Sequence, residues 1–362
     1  MNARARVHVA NDVSLAALVS DALAPARLER LAHAEDWPDP PDESPALPRD
    51  LWNRVLGDLV RDVLSRPGRR FRARLAELAF RLGGGVGDPP RALGAVLEVI
   101  HAGSLVIDDI EDESPTRRGE PALHLRYGVP LALNAGNWMY FWALALIETL
   151  EPRVPLLRER LQRVVADAMA RCHLGQALDI GVDVGRLPRA AVYRTVATST
   201  SLKTGALMEL AARIGAIVAG APAEHEEALA RFGRRLGVGL QMLDDFGNLT
   251  ARLEAGGSAK ALEDLRNGTP TWPWALAARS LDDAAFAELQ AAARAASETR
   301  DADDGRLRAL AAALRMAVGR EGRQLAARYL ADALSDLRAV VGPRPELAAV
   351  AAEIQRLEAA YG

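Results

Sequence analysis

The chain has a single cysteine, no long apolar run and almost no excess of one charge. Cys172 cannot form an internal disulfide, and no cysteine–histidine cluster elsewhere has the spacing of a zinc site, which excludes a disulfide scaffold and a structural zinc module. A reducing cytoplasm is the expected setting. No apolar run lasts long enough to span a bilayer, and the start, MNARARVHVANDVSL, carries two arginines without the apolar stretch or small-residue cleavage pattern of a leader. An untargeted chain without stable membrane insertion is therefore expected. A formal net charge of -3 over 362 residues leaves no general field for nucleic acid or an anionic membrane, so any phosphate recognition must be local. Alternating β-branched runs are also scarce, and no short repeat period is evident, which argues against a sheet protein and a solenoid.

What is present is a helical pattern. Hydrophobic residues make up 49% and charged residues 26%, as in a soluble globular body. The segment EDWPDPPDESPALPRD (35–50) holds five prolines and six acidic residues, and reads as an extended connector between a short N-terminal helix and the main body. From residue 50, stretches such as LWNRVLGDLVRDVL, RALGAVLEVIHAGSLVIDDIED and LRERLQRVVADAMARCHLGQALDI repeat apolar residues three and four apart. GGGVGDPP (83–90), ESPTRRGEP (113–121), DVGRLPRA (183–190), AGAPAE (219–224) and polar stretches near 300 supply the breaks. The expected architecture is all-α, with residues 1–49 as N-terminal helix and connector and 50–362 as one helical domain.

Two acidic shelves stand out. In VIDDIEDESPTRRG, a helix ending near Ser114 places Asp108 and Asp112 on one face with Asp109 beside them. Magnesium is commonly held by one or two carboxylates together with substrate phosphates, so this shelf suits a metal-bound diphosphate; a solvated acidic helix end is the alternative. In GVGLQMLDDFGNLTA (237–251), Gln241, Asp244 or Asp245, and Asn248 fall at helical spacing, flanked by apolar Leu240, Met242 and Leu243. A core-flanked acidic pair is costly without a cation or partner. Two such shelves suggest two helices facing one cavity.

Basic groups could complete it. PGRRFR puts Arg69, Arg70 and Arg72 at a helix start, where guanidiniums and backbone N–H groups both suit phosphate; a solvated basic turn is the alternative. Lys203 and Thr204 lie in the small-residue segment SLKTGALMELAARIGAIVAG, where the lysine either serves a site or snorkels. His101, seven residues before Asp108, shares its face and could equally be a satisfied core residue.

From about residue 50 onward the order of these motifs resembles the trans-isoprenyl diphosphate synthases, the polyprenyl synthetase family. PGRRFRA is similar to the family's Gly-Lys-Arg-x-Arg-Pro segment, with Arg69 for lysine and Ala73 for proline; HAGSLVIDDIEDESPTRRGEPALH is similar to its first aspartate-rich region. RCHLGQALDI, SLKTGALMELAARIGA and GLQMLDDFGN resemble the later ones. The resemblance implies a helical bundle around a deep apolar tunnel, a homodimer, and Mg2+ held by Asp108, Asp112 and Asp244 with Asp109 and Asp245 supporting. It implies further that Arg117, Lys203, Gln241 and Lys260 hold an allylic diphosphate, that Arg69, Arg72, His101 and Arg118 hold isopentenyl diphosphate, and that Thr204 and Gln241 place the substrate and stabilise a cation. Three further positions depart from the pattern: Asn248 replaces an aspartate, Thr269 in NGTPTWP a lysine, and Ile107 a histidine.

The implied activity is trans-prenyl transfer: metal-assisted ionisation of the allylic diphosphate, condensation with isopentenyl diphosphate, and proton loss. A class I terpene cyclase or diphosphate lyase on the same fold, and a non-catalytic partner subunit, are the alternatives. Arg252 stands where a cyclase would want an acid, and a silent subunit has no need of an intact metal shelf. Product length should follow from what the growing tail strikes. Gly103, five residues before Asp108, is expected to point into the tunnel, and neither it nor Ser104 closes the upper tunnel. Trp138, Phe141 and Trp142, three and four residues apart, are expected to share a face as its floor, giving geranylgeranyl diphosphate or a product of similar length; ordinary helix packing is the alternative for these aromatics.

Overall fold

The computed structural model describes residues 15–32, 49–68, 70–150, 155–254, 259–297 and 304–361. The connector read from 35–50 lies almost wholly outside these, as does Arg69, and nothing is described of the side chain of Lys260.

The described residues are helical nearly throughout. They divide into two compact units, residues 1–74 with 90–158 and residues 75–89 with 159–362. In the first unit, helical residues 15–22 (α1) and Pro25–Ala32 (α2) precede Arg49–Trp52 (α3), a π-helical turn Asn53–Gly57, and Asp58–Ser65 (α4). Phe71–Leu82 (α5) follows, with its first turn in this unit. Then come Arg91–Glu111 (α6), a two-stranded hairpin of Thr116–Arg117 (β1) and Glu120–Pro121 (β2), Leu123–Tyr127 (α7) and Val129–Leu146 (α8). The core is α6 against α8, through Leu93, Val96, Leu97, Ile100 and Val106 on one side and Ala132, Ala135, Met139 and Ala143 on the other, all buried.

The two helices approach unusually closely at Gly103. A Cβ there would stand 2.9 Å from the Gly136 carbonyl oxygen and 3.2 Å from Met139 Cβ, and a Cβ on Gly136 would meet Ile107 at 2.8 Å. Backbone cannot yield as a flexible side chain can, so glycine is required. This corrects the expectation that position 103 points into open tunnel: it points at the backbone of α8. Ile107 packs at the Gly136 gap, which accounts for an aliphatic residue where a histidine was expected.

In the second unit Pro155–Gly181 (α9) leads to Arg189–Thr200 (α10), a π-helical turn Ser201–Gly205, and Ala206–Val218 (α11). Ala223–Glu254 (α12), Ala259–Arg266 (α13), Trp272–Ser280 (α14), Asp283–Ser297 (α15), Asp304–Val341 (α16) and Pro345–Tyr361 (α17) complete it. The long α12 lies between α11 and α16. Nearly every side chain of α11 is buried, as its almost unbroken run of small and apolar residues requires.

Candidate functional site

In the first unit one face of α6 carries a polar stripe. Glu98, His101, Ser104, Asp108 and Asp112 follow one another at three- and four-residue spacing and all are half-buried, while Leu97, Val99, Ala102 and Val106 between them are buried. The rise of an α-helix puts His101 about 10 Å along the axis from Asp108. The helix ends at Glu111, three residues before the expected Ser114, with the Asp112 amide donating to the Asp108 carbonyl at 2.9 Å.

The three aspartates are not equivalent. Asp108 and Asp112 lie on the stripe, but Asp109 falls on the buried face at 2% exposure, where one oxygen accepts from Arg117 Nε at 2.7 Å and also from Arg117 Nη2. Burial raises its pKa despite the opposing Arg117 hydrogen bond and charge. Asp109 is therefore corrected from metal neighbour to the anchor of Arg117, because its position on α6 continues the buried face of Ala102 and Val106.

ESPTRRGEP, read as a helix break, forms a hairpin with Thr116 opposite Pro121 and Arg117 opposite Glu120. Its two turn residues, Arg118 and Gly119, both have left-handed φ, at 56° and 84°. That is the requirement of a tight two-residue hairpin turn, normal for glycine and strained for arginine. The Arg118 guanidinium lies against Gly68, 2.8 Å from where a Cβ would stand, and donates to the Arg66 carbonyl at 3.2 Å. Burial lowers its pKa, and the charges of Arg117, Arg66 and Arg70 act the same way against Glu98. Burial also drives His101 well below its ordinary range, helped by the charges of Arg72, Arg118 and Arg117, so it is neutral at pH 7. Glu98 is raised by burial against the pull of Arg72, Arg70 and Arg118. Sequence reasoning missed Glu98, although its position three residues before His101 on the same face was the available signal.

In the second unit the π-helical turn presents Lys203 and Thr204. Such a turn leaves carbonyls outside the α-helical pattern, and Cys172 Sγ lies 3.5 Å from the carbonyl of Lys203. Lys203 Nζ pairs with Asp179 Oδ2 at 2.7 Å, with both side chains about a third exposed. Gly237 lets α12 approach this turn, since a Cβ there would stand 2.6 Å from the Thr204 carbonyl oxygen. One turn later Gln241 meets the same threonine: Thr204 Oγ1 donates to Gln241 Oε1 at 2.9 Å, and Gln241 Nε2 donates to Asp245 Oδ1 at 2.8 Å. The Trp272 amide donates to Asp245 Oδ2 at 2.9 Å.

Asp245 thus has both oxygens in hydrogen bonds at 8% exposure, and burial raises its pKa well above its ordinary value against these two bonds. It is corrected from metal neighbour to orienter of Gln241. Asp244 is half-buried, whereas Asn248 is buried at 5% exposure. Thr269 closes α13, its amide donating to the Asp264 carbonyl.

Behind this line lies a buried carboxylate. Glu209 of α11 accepts from Arg171 Nη1 at 2.9 Å, Arg234 Nε at 2.8 Å and Arg213 Nη2 at 3.2 Å, tying α9 and α12 to α11. Burial alone would raise its pKa, but the hydrogen bonds and charges of Arg234 and Arg171 prevail and bring it to about 2.

Phe141 is 71% exposed and does not share the side of α8 taken by Trp142, which is 5% exposed. Successive residues turn a helix by about 100°, so Phe141 turns to solvent where Trp142 turns to the core. Trp138 and Trp142 stack at 5.0 Å. Phe141 is accordingly removed from the expected floor.

Asp108 and Asp112 in the first unit, and separately Asp244 in the second, offer hard oxygen donors of the kind magnesium takes one or two at a time beside phosphates. Among the described residues, no three or more His, Cys, Asp or Glu gather into a closed protein cage. Within the first unit, the Asp108–Asp112 pair fits an ion completed by substrate oxygens.

A family model described as Polyprenyl synthetase matches residues 53–310. A geranylgeranyl pyrophosphate synthase of Eremothecium gossypii is 34% identical over 219 residues, covering 58% of this chain and 66% of that protein, slightly less than two thirds of its length. A terpene synthase of Matsumurasca onukii is 31% identical over 237 residues, 65% of this chain and 73% of that protein. Among solved structures, a decaprenyl diphosphate synthase from Rhodobacter capsulatus superposes with a TM-score of 0.73 at 23% identity, over 94% of this chain and 99% of that one. With the all-α fold and both aspartate-rich segments in place, the chain belongs to the polyprenyl synthetase family.

Proposed function

We propose that the protein is a magnesium-dependent trans-prenyltransferase that joins isopentenyl diphosphate to an allylic diphosphate. The observation that carries this reading is the α6 stripe: carboxylates at Asp108 and Asp112, and, about 10 Å along the axis, His101 and Glu98 under the charges of Arg72 from α5 and Arg118 from the hairpin. Two anion-holding ends of different chemistry suit two diphosphates, one held through metal and one through guanidiniums. A cyclase has use for only the first.

Asp108, Asp112 and Asp244 would hold Mg2+, which when bound neutralises charge developing on the departing diphosphate. Arg117, fixed by Asp109, and Lys203 are the cations for the allylic diphosphate, and Lys260 is proposed beside them. As the allylic carbon–oxygen bond breaks, its electron pair leaves with the diphosphate. Thr204 and Gln241, held in line by Asp245, present oxygens to the allylic cation. Arg72, Arg118 and Arg69 would hold isopentenyl diphosphate, whose double bond supplies the electrons of the new carbon–carbon bond; His101, being neutral, adds a hydrogen bond without charge. The proton then lost has no strong side-chain base beside it in this scheme, and the released diphosphate is the proposed acceptor.

The product is proposed to be geranylgeranyl diphosphate or of similar length, with the Trp138–Trp142 stack as floor and Ser104, one turn before Asp108, lining the tunnel. Val129, Leu133 and Phe141, 46%, 41% and 71% exposed on one side of α8, are proposed to be covered by a second copy in a homodimer. No described helix is long and apolar enough to cross a membrane, and a cytoplasmic setting is proposed. The terpene synthase relative keeps cyclisation as a second reading.

Incubation with Mg2+, isopentenyl diphosphate and each short allylic diphosphate, with product identification, tests the proposal. Elongated diphosphates are expected, and Asp108→Ala or Asp112→Ala should lower turnover at least about a hundredfold. Products formed from the allylic diphosphate alone would favour cyclisation.

A further inference from the structure

Arg66 follows α4 in extended conformation and is buried at 5% exposure. Each nitrogen of its guanidinium donates into the protein: Nε to Asp62 Oδ1 at 2.8 Å, Nη1 to the Arg117 carbonyl at 3.2 Å, and Nη2 to the Pro121 carbonyl at 2.9 Å. The fork therefore grips both strands of the hairpin. Its own carbonyl accepts from Arg118 Nη1 at 3.2 Å, so the side chain holds the hairpin's backbone while the main chain holds the hairpin's arginine.

Asp62 completes the clamp. Its other oxygen accepts from Arg126 Nη1 at 2.6 Å and lies 3.4 Å from the Tyr127 hydroxyl, binding α7 on the far side of the hairpin. Arg118 occupies a left-handed conformation, and such conformations persist where surrounding contacts over-determine them. Only a planar, multidentate cation reaches two carbonyls and a carboxylate together; lysine offers a single point of attachment.

We propose that Arg66, which is turned into the protein, is a positioning residue for isopentenyl diphosphate, acting through Arg118 by clamping the hairpin that carries it. The inference rests on the reading that Arg118 serves that diphosphate. Arg117, on the same hairpin, keeps its own side-chain anchor in Asp109 of α6, whereas Arg118 donates to the Arg66 carbonyl, so loosening the clamp falls chiefly on isopentenyl diphosphate.

The test uses Arg66→Lys, Arg118→Ala and the double variant, with isopentenyl diphosphate binding by calorimetry, Michaelis constants for both substrates, and hydrogen exchange over residues 115–122. Lysine can keep the Asp62 pair, so Arg66→Lys should fold. Exchange in the hairpin should quicken, and isopentenyl diphosphate binding should weaken about tenfold, the scale of a lost charged hydrogen bond. The allylic Michaelis constant should stay within about twofold, and Arg66→Lys should add nothing further in the Arg118→Ala background, as expected of coupled residues. Equal losses for both substrates, or a full additional loss in the double variant, would overturn the proposal. If Arg118→Ala binds isopentenyl diphosphate normally, the site reading falls and this inference with it; if Arg118→Ala weakens binding and Arg66→Lys does not, the clamp alone falls. Should Arg66→Lys fail to fold, Asp62→Asn is expected to give the same selective loss on a smaller scale, and an even loss or none overturns the clamp.

Discussion

Replacing Glu209 with glutamine removes one negative charge from among three arginines while keeping the side chain's shape. A carboxyl at about 2 instead of the ordinary 4.5 corresponds to ~3 kcal/mol of folding stability. Because the folded pKa is the lower one, the contribution is fully present above pH 4.5 and is lost as pH falls from 4.5 through about 2. At pH 7 the glutamine variant should be less stable by ~3 kcal/mol, with the gap narrowing by ~2 kcal/mol by pH 3. Other carboxylates titrate over the same range, but they do so in both proteins and cancel in the difference. Urea unfolding at pH 7, 5, 4 and 3, followed by circular dichroism, measures the gap. A gap that stays constant from pH 7 to 3 would refute the reasoning, since it would mean that Glu209 contributes by shape and not by charge.

Asp245→Asn should lower turnover while leaving the magnesium concentration for half-maximal rate within about twofold, because the carboxylate orients Gln241; Asp244→Asn should raise that concentration at least about tenfold. Rates titrated against Mg2+ distinguish them, and equal shifts would return Asp245 to the metal. Gly103→Phe should destabilise the fold by at least ~2 kcal/mol, since its first carbon already meets the Gly136 carbonyl. Thermal unfolding reads this, and a stable variant making shorter products would restore position 103 to the tunnel. Ser104→Phe should shorten the product, as chromatography of the dephosphorylated chains would show.

The all-α class was legible because apolar spacing of three and four, interrupted by glycine and proline, has few other solutions. The Asp108–Asp112 shelf was legible for the same geometric reason. Simple helical arithmetic, carried further, would also have separated Asp109 from its neighbours, since it continues the face of Ala102 and Val106. The error at Gly103 was likewise one of phase: five residues turn the helix about 140° past the face of Asp108, whereas the four from Ser104 keep it. Arg66 is a different case. Two of its partners are main-chain carbonyls 51 and 55 residues away, and a carbonyl has no signature in sequence. The line from Thr204 through Gln241 to Asp245 was half visible, because the motif residues were recognisable but the Trp272 amide that fixes its end was not.

The π-helical turn at Ser201–Gly205 holds one more residue than an α-helical turn, so the helix before it and the helix after it run one residue out of step. A deletion of one residue in α11 would swing its buried faces by about 100° and scatter the core. Within the turn the same deletion would restore ordinary helical phase and leave both flanking helices packed. Lys203 and Thr204 therefore stand on a segment whose register can change without rotating the helices on either side of it. Relatives of this chain could re-aim or retire these two side chains through a single-codon insertion or deletion, and length differences between aligned relatives are to be looked for here before they are looked for in loops.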